Sequence, residues 1–286
     1  MFICVVGLVL TSCQKKELPP DEEAITQLPE DTRSLFVEKG DTGAQIAILY
    51  CNGGPDTTLD TSYFDDLGLS NFHEVYVHQA NTYNDELIIG LNENLSFERA
   101  IKEDSLSVEI LYRVASYFED QNKKIYIIGH SFGALIIPAL MASKEIDAEK
   151  YLIMAGRLQM PDIVWKGFRD RKGYYFKAGI TPTPFELNAS FAEQEKKENY
   201  ARMRLEAGLG KIRYLKMLEN KMLNQVIFAY GENDQAVGRL MDEELSFLAL
   251  KNAVTYRIPG GSHSSMFDFP HIEAIKSLMF DSSNNK

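Results

Sequence analysis

Six short, largely apolar runs, separated by longer stretches whose apolar residues recur every three or four positions, restrict this chain more than any other feature. The runs are Ile46–Cys51, Glu74–His78, Lys124–Ile128, Tyr151–Ala155, Gln225–Tyr230 and Val254–Ile258. A strand that is apolar on consecutive positions is buried on both faces, the condition of a parallel sheet with helices on either side. Between the second and third runs, Val108, Leu111, Ala115 and Phe118 fall on one helical face; Val237, Leu240, Met241, Leu245 and Leu248 repeat the pattern after the fifth. Helices of that length return the chain to begin the next parallel strand. The expected fold class is therefore α/β, a mostly parallel central sheet flanked by helices.

The alternation fails between residues 157 and 223. That segment is far longer than a crossover needs, and it is rich in aromatic and basic residues, among them Trp165, Phe168, Tyr174, Tyr175, Phe176 and Phe185. Helices are expected over Ala192–Leu205 and Lys211–Leu223. The segment reads as a helical cap inserted into a core made of residues 34–156 and 224–286.

Composition removes several functions. A formal net charge of −11 and a pI near 5.0 repel nucleic acid phosphates, and no basic, aromatic-interleaved patch offsets that. The cysteines, Cys4, Cys13 and Cys51, form no CxxC, and the five histidines form no HExxH pair. No metal ligand set is visible and no cofactor is implied.

Phe2–Leu10 is apolar but spans about half the roughly 20 residues a bilayer-crossing helix needs, so it reads as the core of a signal peptide. The next residues, Leu10-Thr11-Ser12-Cys13, resemble a bacterial lipobox. That resemblance implies removal of residues 1–12, lipid on Cys13, a tether over 13–33 and attachment to a bacterial membrane in the cell envelope. No Lys or Arg precedes the apolar run, which departs from the usual opening of a signal peptide. Cys4 would be lost with the leader, leaving Cys51 as the only free thiol, a small buried core residue rather than a reactive one.

The chemistry is carried by Ile125-Tyr-Ile-Ile-Gly-His-Ser-Phe-Gly-Ala134, a GxSxG motif directly after a buried strand and before an apolar helix. Glycines two positions either side of Ser131 allow a tight strand-to-helix turn that exposes the hydroxyl at the carboxyl edge of the sheet. Alone the motif is weak, since a chain of this length shows one by accident about one time in ten. A serine hydroxyl also needs a base to take its proton, and a histidine base needs a carboxylate to fix its tautomer.

The body of the chain resembles the α/β-hydrolase family over about 250 residues. In that family the order is serine, acid, histidine, each on a loop after a strand. Asp234, in Tyr230-Gly-Glu-Asn-Asp-Gln-Ala-Val237, matches the acid loop, with Glu232 the nearest substitute; His263, in Pro259-Gly-Gly-Ser-His-Ser265, matches the histidine loop. Neither His130, inside the turn, nor His271 fits better, and His73 and His78 are expected to serve structure. The resemblance places an oxyanion hole at the Phe132 N–H and in the Asn52-Gly53-Gly54-Pro55 loop. That loop resembles the HGGPG signature of proline iminopeptidase-like hydrolases but lacks its first histidine and last glycine.

What these resemblances imply is a serine hydrolase acting on a small-molecule acyl substrate, an ester, thioester or amide, through an acyl-enzyme on Ser131. Two other readings stand beside it. One is a membrane-tethered binding protein that keeps the pocket without the chemistry. The other is a triad-dependent lyase or cofactor-free peroxidase, chemistries that similar triads also support.

Overall fold

The computed structural model describes residues 25–90 and 95–280. The expected signal peptide, Cys13 and the first part of the tether lie outside the described residues. The end of that tether is not free: the buried Thr26 N–H donates to Glu103, Arg113 reaches the Glu30 carbonyl, and Arg33 donates to the Tyr117 hydroxyl.

In chain order the described elements are β1 (Phe36–Gly40), β2 (Ile46–Cys51), β3 (His73–Val77), α1 (Ala80–Tyr83), α2 (Phe97–Glu119), β4 (Lys124–His130), α3 (Phe132–Ser143) and β5 (Ala148–Met154). There follow α4 (Asp162–Arg169), β6 (Gly173–Lys177), β7 (Thr181–Phe185), α5 (Glu193–Gly210), α6 (Tyr214–Met217), β8 (Val226–Gly231), α7 (Asp242–Leu250), β9 (Val254–Ile258) and α8 (His271–Phe280). Seven strands make one sheet in the order β1-β3-β2-β4-β5-β8-β9, parallel throughout except for β1, which pairs antiparallel with β3.

Successive residues of the central strands serve opposite faces, which is why the runs are apolar without alternation. Leu49, Val75, Ile127, Ile153 and Phe228 pack with α2 and α3 residues such as Leu111, Phe118, Leu135 and Ile136. Their neighbours Ile48, Tyr76, Ile128, Leu152 and Ile227 pack on the other side with Ile272, Ile275 and Met279 of α8. Cys51 is buried on the first face, and burial pushes its thiol up to about 12, so it is inert.

Several expectations change. β9 is an edge strand that is mostly exposed rather than buried on both faces. The helix expected from Val237 begins only at Asp242, because Gly238 has φ +76 and the Asp234 side chain holds residues 236 and 237 in a turn. The helix expected over Lys211–Leu223 is a single turn at Tyr214–Met217. The segment 157–223 is also not wholly helical, since β6 and β7 form a two-stranded antiparallel sheet.

That segment is bound to the core through a buried ion pair. Arg157 is 1% exposed; its Nη2 lies 3.0 Å from Glu244 Oε2 and its Nη1 donates to the Val237 carbonyl. Glu244 accepts from the Leu158, Gln159 and Met241 N–H groups as well. With its acceptors thus filled, a buried charge pair is tolerable, and it fixes the start of the segment against the loop after β8.

Candidate active site

β4 ends at His130, and the chain turns into α3 through Ser131, whose φ of 54° and ψ of −118° are uncommon for a residue with a side chain. Such a conformation costs about 1–3 kcal/mol and persists only when its surroundings hold it. Here the Ser131 N–H donates to the Met154 carbonyl at 3.0 Å and the Ser131 carbonyl accepts from Ala134. The glycines of the motif make the turn possible: a Cβ on Gly133 would collide with the Cys51 carbonyl, and one on Gly129 would sit 2.7 Å from the Gly133 oxygen. Ser131 is half-buried, and its hydroxyl has no hydrogen-bond partner among the described residues.

Asp234 lies in the loop after β8 and is fully buried. Its Oδ1 accepts from the Ala236 and Val237 N–H groups at 2.8 and 3.0 Å, and its Oδ2 is 2.8 Å from His263 Nδ1. A carboxylate only accepts, so His263 Nδ1 carries the proton and Nε2 is left with a free lone pair. The loops that hold the two residues are joined through their backbones: Glu232 N–H donates to Ile258 and Asn233 N–H to Gly261. Glu232 itself is occupied elsewhere, accepting from the Gly260 N–H and pairing with Arg257.

The Phe132 N–H, first in α3, and the Gly54 N–H have no acceptor among the described residues. Phe132 and Gly54 both line a cavity of about 60 Å³ that also contains Ser131. Gly53 sits differently: a Cβ there would lie 3.4 Å from that of Ser131 and would collide with the Tyr63 phenol. The loop carrying these glycines is held by Gln79 on the Asn52 carbonyl, Asn81 on the Asp56 carbonyl and Arg202 of α5 on the Pro55 carbonyl.

Seen against solved structures, the fold has many counterparts. The chain is similar to a serine hydrolase from the polyaromatic hydrocarbon-degrading bacterium Cycloclasticus zankles, with a TM-score of 0.57 and 15% identity over 88% of this chain and 97% of that one. It is similar to Est1E from Butyrivibrio proteoclasticus, solved with ferulic acid bound, with a TM-score of 0.52 and 14% identity over 85% and 93%. A lipase-esterase related protein from Clostridium acetobutylicum gives a TM-score of 0.51 and 12% identity over 85% and 97%. The chain has the α/β-hydrolase fold. No family model matches its sequence, and no curated protein matches it.

Within this α/β-hydrolase fold the segment 157–223 supplies much of the cavity wall, through Met160, Val164, Phe168, Phe176 and Glu206. Glu206 carries no mark in the sequence that separates it from the other charged residues of α5. A larger groove of about 590 Å³ lies at the amino ends of the strands, beside Lys123, Asp147 and Gln225, away from Ser131. Ligands of open α/β sheets bind at the carboxyl ends, so the small cavity is the relevant one.

Two further residues, Tyr63 and His130, support the site. His130 Nε2 is 3.0 Å from the His263 carbonyl, which can only accept, so Nε2 carries the proton and Nδ1 accepts from the Tyr63 hydroxyl at 2.7 Å. Burial first, and the neighbouring His263 second, push the His130 imidazole down to about 4, so it is neutral at pH 7. It is a prop for the histidine loop rather than a base. The remaining histidines are remote in role: His73 contacts Lys123 and Glu38, His78 contacts Thr82, and His271 contacts Tyr256. Tyr63→Phe leaves His130 Nδ1 buried without a donor, and we expect a loss of about 1–3 kcal/mol of stability by urea unfolding. An unchanged midpoint would show that the contact is not maintained in solution.

Proposed function

We propose that the chain is a serine hydrolase that cleaves an ester, thioester or amide through an acyl-enzyme. The observation that carries this reading is the His263–Asp234 pair, which leaves His263 Nε2 as an acceptor on a loop that packs against His130, the residue before a strained, unpartnered Ser131. Ser131 Oγ attacks the substrate carbonyl as its proton passes to His263 Nε2. The oxyanion that forms takes hydrogen bonds from the Phe132 and Gly54 N–H groups. His263 then protonates the leaving group, and a water, deprotonated by the same nitrogen, releases the acyl group and restores Ser131. The absent contact between Ser131 and His263 does not weigh against this, because such bonds often tighten only when substrate is bound. Neighbours of the same fold described as a serine hydrolase and as a lipase-esterase related protein lend support from outside the chain.

A fluorophosphonate probe tests the proposal, since phosphorus is attacked readily only by a hydroxyl with a base beside it. One label per chain, located on Ser131 by peptide mapping, is the expected result. A folded protein that remains unlabelled would favour the binding-protein reading, and labelling without turnover of any acyl substrate would favour a lyase or peroxidase.

For the N-terminus we propose lipid attachment at Cys13 and tethering to a bacterial envelope membrane, on the strength of the Leu10-Thr-Ser-Cys13 sequence behind an apolar run. More than one acyl chain is needed for firm attachment. Metabolic labelling with a fatty-acid analogue should mark the wild type and not Cys13→Ser, and the variant should accumulate as an uncleaved precursor. A wild type without label in a lipoprotein-processing bacterium refutes the anchor and leaves the catalytic proposal intact.

A further inference from the structure

Among the residues lining the Ser131 cavity, Glu206 is out of character. The rest of the wall is apolar or glycine apart from Ser131 itself: Phe132 and Leu135 from α3, Val164 and Phe168 from α4, Phe176 from β6, and Ala236 and Val237 from the acid loop among them. Glu206 comes from α5, which packs on α2 and α4, and it keeps partial exposure although protein surrounds it. It lines the cavity. No hydrogen bond or ion pair engages its carboxyl among the described residues, although Arg202 stands one turn earlier on the same helix and spends its Nε on the Pro55 carbonyl. A carboxyl enclosed in an apolar wall without a partner is costly to keep unless something else meets it.

We propose that Glu206 selects the acyl group of the substrate, and that the cavity takes a short acyl chain bearing a hydrogen-bond acceptor, such as an ether, hydroxy or oxo oxygen, to which Glu206 donates. This rests on the serine hydrolase reading. The acyl portion stays bound to Ser131 through both halves of the reaction while the leaving group must depart, so an enclosed cavity beside Ser131 suits the acyl portion. At about 60 Å³ it is small beside the roughly 300–1,000 Å³ of ordinary ligand pockets, so it suits a short acyl chain. Burial pushes the Glu206 carboxyl up to about 8, against the opposing pull of Arg202, so it holds its proton at neutral pH and can donate. A cationic acyl group fits less well. It would have to leave water for an apolar enclosure beside the Arg202 charge, with a single carboxyl to receive it.

Three p-nitrophenyl esters of nearly equal shape decide the matter: butanoyl, methoxyacetyl and 3-aminopropanoyl. Rates of kcat/KM are divided by spontaneous hydrolysis and referred to the fraction of each preparation that a fluorophosphonate titrates. Wild type should favour methoxyacetyl over butanoyl about tenfold or more, the range set by one buried hydrogen-bonding group left unpaired. Glu206→Leu should reverse that order, and Glu206→Gln, which keeps a neutral donor, should preserve it. An octanoyl ester should be poor for the wild type. The proposal is overturned if all three forms rank the esters alike, or if 3-aminopropanoyl is preferred and Glu206→Gln abolishes the preference, since the carboxylate would then be holding a cation. A folded wild type that neither labels at Ser131 nor turns over any ester overturns the hydrolase reading itself, and this proposal with it.

Discussion

Ser131→Ala and His263→Ala should each lower kcat on an activated ester by about 10⁴ to 10⁶-fold, and the double variant should lose little more than either alone. The serine hydroxyl has no hydrogen-bond partner among the described residues, and His263 is the histidine whose proton is fixed by a buried carboxylate. Removing the base leaves a weak nucleophile; removing the nucleophile leaves a base with nothing to deprotonate but water. The two losses are one loss counted at two atoms. Residual turnover over the uncatalysed rate, from the Phe132 and Gly54 N–H groups and from binding, should survive in all three variants. Active-site titration before each rate measurement removes the contribution of misfolded protein. If the double variant shows the product of the two single losses, Ser131 and His263 act independently and the assignment fails.

Asp234→Asn should lower kcat about 10⁴-fold while leaving the fold in place. An asparagine can still accept from the Ala236 and Val237 N–H groups through its oxygen, so the turn survives. Its amide nitrogen then faces His263 Nδ1 where an oxygen stood. A donor there selects the tautomer with the proton on Nε2, and that nitrogen can no longer take a proton from Ser131. The structure also weighs against Glu232 as a reserve acid, because its carboxylate is spent on Gly260 and Arg257. Near-normal turnover with the same thermal midpoint would sink the role given to Asp234.

Much of this was legible in the residues because the central strands are covered on both faces. Leu49 and Ile48, or Ile127 and Ile128, point in opposite directions and still meet apolar partners, so the runs show without alternation. Ser131 was legible because the motif needs glycines whose side chains would strike main-chain carbonyls. What escaped lies where one face is open or where partners are remote in sequence. β1 buries only its first residue, and β7 reads Thr-Pro-Thr-Pro-Phe, an edge strand without an apolar signal. Val237 and Leu240 fall at helical spacing from Leu245 and Leu248, but the side chain of Asp234 claims the intervening backbone first. Glu206 sits in a helix studded with charges, and only the packing of α5 on α2 and α4 turns it inward. The Tyr63–His130 contact joins residues 67 positions apart and has no local mark.

The edge position of β9 has a further consequence. The histidine loop hangs from the last strand of the sheet, whose outer edge no other strand covers among the described residues and whose residues are mostly exposed, while Ser131 is rooted in the middle of the same sheet. Edge elements open locally at a fraction of the free energy needed to disrupt a core. Working life and folded life are therefore different quantities in this molecule: peeling of one short strand would scatter the base from the nucleophile while most of the secondary structure endured.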